Sequence, residues 1–286
     1  MRIIAYNPFV LLAVCVALLS ACTAVAEYKA AESEGAGQAP AESGETLKSP
    51  PEDDAEPDAE TLALLRRIEA ASADLETFKT RVRYTRIQTL TGDEQRRFGD
   101  FYYAAGKAET PTRFAVMFDR LVVDERARPM QTWYVFDGNW LLERDHDRKT
   151  AVRRELVPAG AERSDTLDMG QGQMPIPLKI KAEELLENYR VQRLPNTPFG
   201  DRTLHHLRLT PRQHSPERGD EPVPMDLWFD SETLRLHKVV TTEDADEIEM
   251  LFPTPELNPE IADEVFKTEP PDEADGWQVQ EVPLDD

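Results

Sequence analysis

The feature that most constrains the fold is a succession of short β-branched and aromatic segments, separated by turn residues, that begins at Phe78. Alternating apolar and polar residues over such lengths indicate half-buried strands. The strongest hairpin signal is Asp137-Gly138, which stands between an aromatic segment ending at Phe136 and another beginning at Trp140. The predicted strands, about eleven with a further one near the C-terminus, cover residues 78–90, 94–104, 112–122, 131–137, 139–145, 149–157, 189–194, 203–211, 223–230, 233–242, 246–252 and 264–269. Successive hairpins predict one antiparallel sheet, which must curl in order to bury one face.

Two helices are predicted to accompany this sheet. Asp58 is a suitable N-cap for a helix over 59–76, in which Leu64, Ile68 and Leu75 fall on one stripe. A shorter amphipathic helix is predicted within 179–188. The predicted fold class is therefore α+β, mostly β: a curled antiparallel sheet, or incomplete β-barrel, covered by helices. Such a sheet encloses an apolar concavity that can hold hydrophobic groups.

The N-terminus carries the pattern of an export signal. An apolar run from Pro8 to Leu19 is too short for a comfortable membrane span and is typical of a signal peptide. Leu19-Ser20-Ala21-Cys22 fits the lipobox of bacterial lipoproteins, in which the cysteine is acylated. Two alternatives stay open: ordinary cleavage near Ala26, which would release a soluble periplasmic protein, and an incidental cysteine. The main expectation is a membrane-anchored lipoprotein of the bacterial cell envelope.

Four regions are expected along the chain. Residues 1–22 form the signal peptide with its lipobox, and residues 23–57 form an acidic linker with no apolar periodicity, which we expect to be disordered. Residues 58–276 form the folded domain, and residues 277–286 form a loose acidic tail.

The charge and the cysteine positions exclude several function classes. A net charge of −22 argues against binding of nucleic acid and of anionic membrane surfaces. Both cysteines, Cys15 and Cys22, precede the folded domain, so it contains no disulfide, no thiolate nucleophile and no cysteine metal site. The histidines show no metal-ligand spacing, and neither a metal nor another cofactor is expected.

Sequence patterns that could carry catalysis are weak. Asp145-His146-Asp147 follows a predicted strand and is interpreted as a solvated turn, with a hydrolase acting at His146 as the minor alternative. His205 and His206 are adjacent on one predicted strand, so their rings point to opposite faces. No catalytic residue is assigned, and the protein is not expected to be an enzyme.

The candidate lining of the concavity is taken from the alternation along each predicted strand. An ordinary packed core gives the same periodicity, so the two interpretations stay open. The candidate lining residues are Phe101, Tyr103, Phe114, Val116, Phe118, Trp133, Val135, Trp140, Leu142, Leu227, Phe229 and Met250.

Six short motifs resemble, in the same order, those of the outer-membrane lipoprotein carrier and receptor family, LolA and LolB. They are Gly99-Asp100-Phe101-Tyr102-Tyr103, Pro111-Thr112-Arg113-Phe114, the Asp137-Gly138 hairpin before Trp140, Leu207-Arg208-Leu209-Thr210-Pro211, Phe229-Asp230 through Leu236, and Asp263 through Phe266 to Pro270-Pro271. The resemblance spans roughly residues 60–276. One departure is Thr110, which stands before Pro111 where the carrier has a basic residue that helps to latch its lid.

The resemblance implies an incomplete barrel with a helical lid that binds the acyl chains of lipoproteins or lipids without covalent chemistry. Because the carrier is soluble, an acylated Cys22 would make this chain more similar to the membrane-side receptor. The expected function is thus that of a lipoprotein carrier or sorting protein. The alternative is an anchored interaction or envelope-stress sensor module that uses the same fold to bind a protein.

Overall fold

The computed structural model describes residues 57–107, 110–158, 176–212, 224–243 and 246–284. The export signal, Cys22 and nearly all of the predicted linker lie outside these residues. Within them the chain forms two α-helices and thirteen strands. The helices are α1 (Ala59–Ser72) and α2 (Ala182–Asn188). The strands are β1 (Thr77–Ile87), β2 (Glu94–Ala104), β3 (Arg113–Val123), β4 (Arg126–Phe136), β5 (Trp140–Asp145), β6 (Thr150–Glu155), β7 (Tyr189–Phe199), β8 (Arg202–Pro211), β9 (Met225–Asp230), β10 (Leu236–Glu243), β11 (Asp246–Leu251), β12 (Glu256–Leu257) and β13 (Gln278–Val282).

All strands belong to one sheet in the order β13-β6-β5-β4-β3-β2-β1-β11-β10-β9-β8-β7, with β12 paired to β1. Every pairing is antiparallel except that of β13 with β6. The two runs of hairpins, β1 to β6 and β7 to β11, are joined where β1 pairs with β11. The strands β13 and β7 stand at opposite ends of this order, so the curled sheet is not closed. The predicted fold class, an incomplete antiparallel barrel with helices, is confirmed.

Helix α1 begins as predicted and ends earlier than predicted. The Asp58 carboxylate accepts a hydrogen bond from the Thr61 amide at 2.7 Å and caps the helix. The helix ends at Ser72, and a turn follows in which the Leu75 amide donates to the Ser72 carbonyl at 3.1 Å. This turn reverses the chain into β1, so Leu75, the last residue of the predicted stripe, leaves the helix but stays in the core.

The outer face of the sheet, over the half formed by β2 to β6, is covered by the last part of the chain. We call residues 258–284 the C-terminal strap. Two corrections follow. The strand predicted at 264–269 is a 3₁₀ turn over Asp263–Phe266, and the tail predicted to be loose contains β13. The physical reason is that the strap carries Phe266 and Trp277, whose apolar surface is covered by packing on the sheet's second apolar face.

Candidate functional site

The inner face of the sheet carries a large apolar cluster. Phe78 lies at its centre, with its ring centroid 6.0 Å from that of Phe101 and 6.4 Å from that of Phe252 in edge-to-face geometry. Leu227 and Phe229 of β9 extend the cluster toward the other half of the sheet. The inner face therefore presents a continuous apolar surface drawn from both runs of hairpins.

Helix α1 lies across this surface. Its residues Leu64, Leu65 and Ile68 are buried in the same cluster. The segment before α2, with Leu178, and α2 itself, with Leu185, complete the cover. Burial of a Leu or Ile side chain stabilises by roughly 1.5–3 kcal/mol, so α1 is held by roughly 5–9 kcal/mol through these three residues.

The concavity is filled by side chains, with a shallow pocket at the end of α1. This pocket has a volume of about 30 Å³, which is room for about two water molecules. Ligand pockets usually measure roughly 300–1,000 Å³. We call it the α1–turn pocket, because the C-terminal half of α1 and the turn between β9 and β10 form it. Its lining includes Ile68, Ala71, Phe229, Arg235, Leu236 and Leu257.

Eight of the predicted lining residues lie on the inner face. They are Phe101, Tyr103, Phe114, Val116, Phe118, Leu227, Phe229 and Met250. All but Val116, which is partly buried, are buried. The structure thus brings them together beneath the helices as one surface.

Four predicted lining residues lie on the opposite face. Trp133, Val135 and Leu142 belong to the outer cluster beneath the C-terminal strap. Trp140 shares the face of Leu142 by alternation, and the Arg153 guanidinium lies 4.2 Å from its ring centroid. Their assignment to the concavity is corrected. Strand β4 is apolar on both faces near its end, so a period of two could not decide which residues point inward.

A buried polar group at one end of the inner face was missed in the sequence. Arg97 is only 4% exposed, and its guanidinium lies 5.8 Å from the Tyr84 ring centroid and 6.0 Å from that of Phe118. Burial raises the pKa of the nearby Glu143 carboxyl, against the opposite effect of Arg154, whose guanidinium is 3.6 Å away. Alternation along β2 places Arg97 on the same face as Phe101. This spacing could have identified Arg97 from the sequence as an inward-facing residue.

The four histidines that the structure describes do not form a reactive cluster. The His146 ring lies between Trp133 at 4.3 Å and Trp277 at 5.3 Å. Burial lowers the pKa of His146, and the neighbouring Arg144 lowers it further. The His205 Nδ1 donates a hydrogen bond to the Asn196 Oδ1 at 3.1 Å, and the His206 Nε2 donates one to the Asp226 carboxylate at 2.8 Å. Among the residues that the structure describes, no group of three His, Cys, Asp or Glu side chains could hold a metal ion.

The described part of the chain also has no helix that is both long enough and apolar enough to cross a membrane.

Comparisons with known proteins return structures only. No family model matches the chain, and no curated protein matches it. Among similar solved structures is an uncharacterized conserved protein from Thermus thermophilus, at 10% identity and a TM-score of 0.41, covering 78% of this chain and 98% of that one. A chain of the Pseudomonas aeruginosa MucA/MucB complex matches at 13% identity and a TM-score of 0.39. The match covers 73% of the present chain and 61% of the chain in that complex.

A third similar structure is a putative outer membrane lipoprotein-sorting protein domain from Vibrio parahaemolyticus, at 11% identity and a TM-score of 0.35. The match covers 72% of this chain and 96% of that one. At such identities and TM-scores, these likenesses assign no ligand, partner or activity to the present chain.

Proposed function

We propose that this protein is a non-catalytic protein of the bacterial envelope that binds acyl chains of lipids or lipoproteins against the inner face of its sheet. The observation that carries the proposal is the continuous apolar inner face with α1 laid across it and a pocket at the helix edge. The sequence motifs that resemble the lipoprotein carrier and receptor family support the same function.

Binding requires that α1 move away from the inner face, because the present pocket has a volume of only about 30 Å³. Undocking of Leu64, Leu65 and Ile68 costs roughly 5–9 kcal/mol. Each buried methylene of a ligand contributes about 0.8 kcal/mol, so a chain that buries about twelve methylenes contributes about 10 kcal/mol. The two quantities are of similar size, and an acyl chain can therefore replace the helix contacts at little net cost.

The test is a titration of the full chain with a fluorescent fatty acid, in the wild type and two variants. Leu227→Ala removes a fully buried side chain on the inner face, and Leu142→Ala removes one on the outer face. Each truncation costs roughly 2–5 kcal/mol of stability. Only the inner cavity can be refilled by a ligand, so we expect Leu227→Ala to bind the probe more tightly than the wild type and Leu142→Ala to bind it equally. Absence of saturable binding by the wild type, or equal affinities for the two variants, would contradict the proposal.

We further propose that the protein is attached to a membrane by acylation of Cys22. The support is the sequence Leu19-Ser20-Ala21-Cys22 after an apolar run. Multiple acyl chains give stable anchoring. Mass spectrometry of the mature N-terminus is expected to show an acylated cysteine, which is lost in Cys22→Ser and kept in Cys15→Ser. A mature chain that starts near Glu27 would contradict the proposal.

A module that binds a protein partner instead of a lipid is the second candidate. The filled inner face favours it, because a partner-binding domain needs no cavity. Organic extraction of the purified full chain separates the two candidates. Copurified lipid supports acyl binding, whereas a lipid-free chain that also fails the titration supports the protein-binding module.

A further inference from the structure

The α1–turn pocket combines an apolar wall with one cation. Ile68 and Ala71 of α1 face Phe229, Leu236 and other apolar side chains across it. Arg235 is half-buried and is also part of this lining. A pocket with an apolar wall and a single charged group fits a ligand that is itself apolar along its length and charged at one end.

Arg235 is incompletely bonded. One terminal nitrogen donates to the Pro255 carbonyl at 3.3 Å, and its Nε is buried without a hydrogen-bond partner. Within the described ranges, no carboxylate lies within ion-pair distance of its guanidinium. The contact with Pro255 uses one donor of the guanidinium, so further donors are available to a group that binds at the pocket.

The turn that carries Arg235 is held in a fixed and unusual conformation. The Asp230 carboxylate accepts hydrogen bonds from the amides of Glu232 and Thr233 at 3.1 and 2.8 Å. Leu234 has a φ of 56°, in the left-handed region that residues other than glycine rarely adopt. Its side chain packs on the inner cluster. The turn therefore presents Arg235 at the pocket edge before any ligand arrives, as a preformed binding group requires.

We propose that Arg235 binds the anionic head group of a single acyl chain whose tail enters beneath α1 through the α1–turn pocket. The inference rests on the proposed acyl-binding function and adds a ligand class: amphiphiles that carry a carboxylate or a phosphate. The planar guanidinium matches both groups with paired hydrogen bonds. A free fatty acid and a phospholipid are the two sources of this chemistry.

The experiment measures the affinity of the full chain for three probes with the same acyl chain: palmitate, a lysophospholipid with an anionic phosphate, and the neutral monoacylglycerol. The key variant is Arg235→Gln. The matched control is Arg202→Gln, which removes a half-exposed arginine that lies near the same turn, 3.7 Å from the Asp230 carboxylate, outside the pocket lining. Thermal unfolding verifies that each variant is folded, and Arg235→Lys, which keeps the charge, serves if the glutamine variant does not fold.

Arg235→Gln is expected to weaken binding of the preferred anionic probe roughly tenfold or more, since a hydrogen bond to a charged group contributes about 1.5–3 kcal/mol. The affinity of Arg235→Gln for the monoacylglycerol is expected to stay within a factor of about two of the wild-type value. The affinity of Arg202→Gln for every probe is expected to stay within the same range. Arg235→Lys should fall between wild type and Arg235→Gln for the anionic probes. The anionic probe that loses more affinity identifies the carboxylate or the phosphate as the natural head group.

Two results would overturn the inference in distinguishable ways. Equal loss for neutral and anionic probes, or no loss for either anionic probe, removes the head-group role of Arg235 and leaves acyl binding intact. Failure of the wild type to bind any of the three probes removes the acyl-binding function, and the head-group role with it.

Discussion

Replacement of Gly99 by alanine should be among the most damaging small substitutions in the sheet. A Cβ atom at this position would lie 2.2 Å from the Met117 carbonyl oxygen and 2.7 Å from the Phe118 Cα. Both atoms belong to the backbone of β3 and cannot rotate away. The register of β2 and β3 already shifts between Phe98 and Gly99, so the two strands would have to separate at an existing irregularity.

The expected loss of stability is about 3 kcal/mol or more. Overpacking of a close contact costs roughly 1–3 kcal/mol, and each ladder hydrogen bond lost as the strands separate adds about 1 kcal/mol. Gly200→Ala is the matched control. Gly200 has a φ of 60°, and a Cβ atom added there would meet nothing within 4 Å, so only the left-handed conformation is penalised, by roughly 1–2 kcal/mol.

Urea unfolding followed by tryptophan fluorescence measures both variants. The free energy of unfolding of Gly99→Ala should lie below that of Gly200→Ala by about 1–2 kcal/mol or more. If Gly99→Ala proves as stable as Gly200→Ala, the close approach of β2 and β3 is not present in solution and the description of the inner wall is wrong.

Three further predictions concern the helix and the strap. Asp58→Ala should lower the stability measured by urea unfolding and raise amide exchange in α1, because the cap of the Thr61 amide is lost. An unchanged exchange rate would contradict the capping role. Phe266→Ala should lower the free energy of unfolding by roughly 3–5 kcal/mol in the same assay. The reason is that this buried ring anchors the C-terminal strap and lies 4.6 Å from the Arg113 guanidinium. A loss below about 1 kcal/mol would show that the strap is not docked. Burial and the neighbouring Arg144 lower the pKa of His146, so its contribution to stability is present above the unfolded pKa of about 6.5 and is lost as the pH falls toward the lower folded pKa. His146→Phe should therefore flatten the fall in melting temperature between neutral and mildly acidic pH, and an equally steep fall would contradict this.

The sheet was predictable from the sequence because its strands are joined by short hairpins with recognisable turns. The Asp137-Gly138 turn, for example, connects β4 to β5 as expected, and Gly138 has a φ of 106°. The Asp58 cap could also be predicted from the sequence, because capping depends on residues three positions apart. Local signals of this kind fix the elements and their order.

The faces of some strands could not be assigned from the sequence. At the end of β4, Trp133 and Val135 face the strap while Tyr134 and Phe136 face the helices, and all four are apolar or aromatic. When both faces of a strand are covered, the residues on each face are apolar. The alternation along the strand then contains no polar residue that marks the outer face. The choice depends on the strap, which is distant in sequence from β4.

The strap and the pocket cation were missed for the same reason. Strand β13 pairs in parallel with β6 across more than a hundred residues of chain, and its acidic composition suggested a solvated tail. Arg235 carries no sequence pattern that separates it from a surface arginine. Its position beside Ile68 and Phe229 follows from the tertiary packing of α1 against the β9–β10 turn.

The central claim is that an acyl chain replaces α1 on the inner face of the sheet. Hydrogen–deuterium exchange of the full chain with and without palmitate tests it most directly. The account predicts faster exchange across α1 (Ala59–Ser72) and unchanged or stronger protection in β1 and β9 when palmitate is bound. Bound palmitate with unchanged exchange in α1, or equal loosening of α1 and the strands, would contradict it.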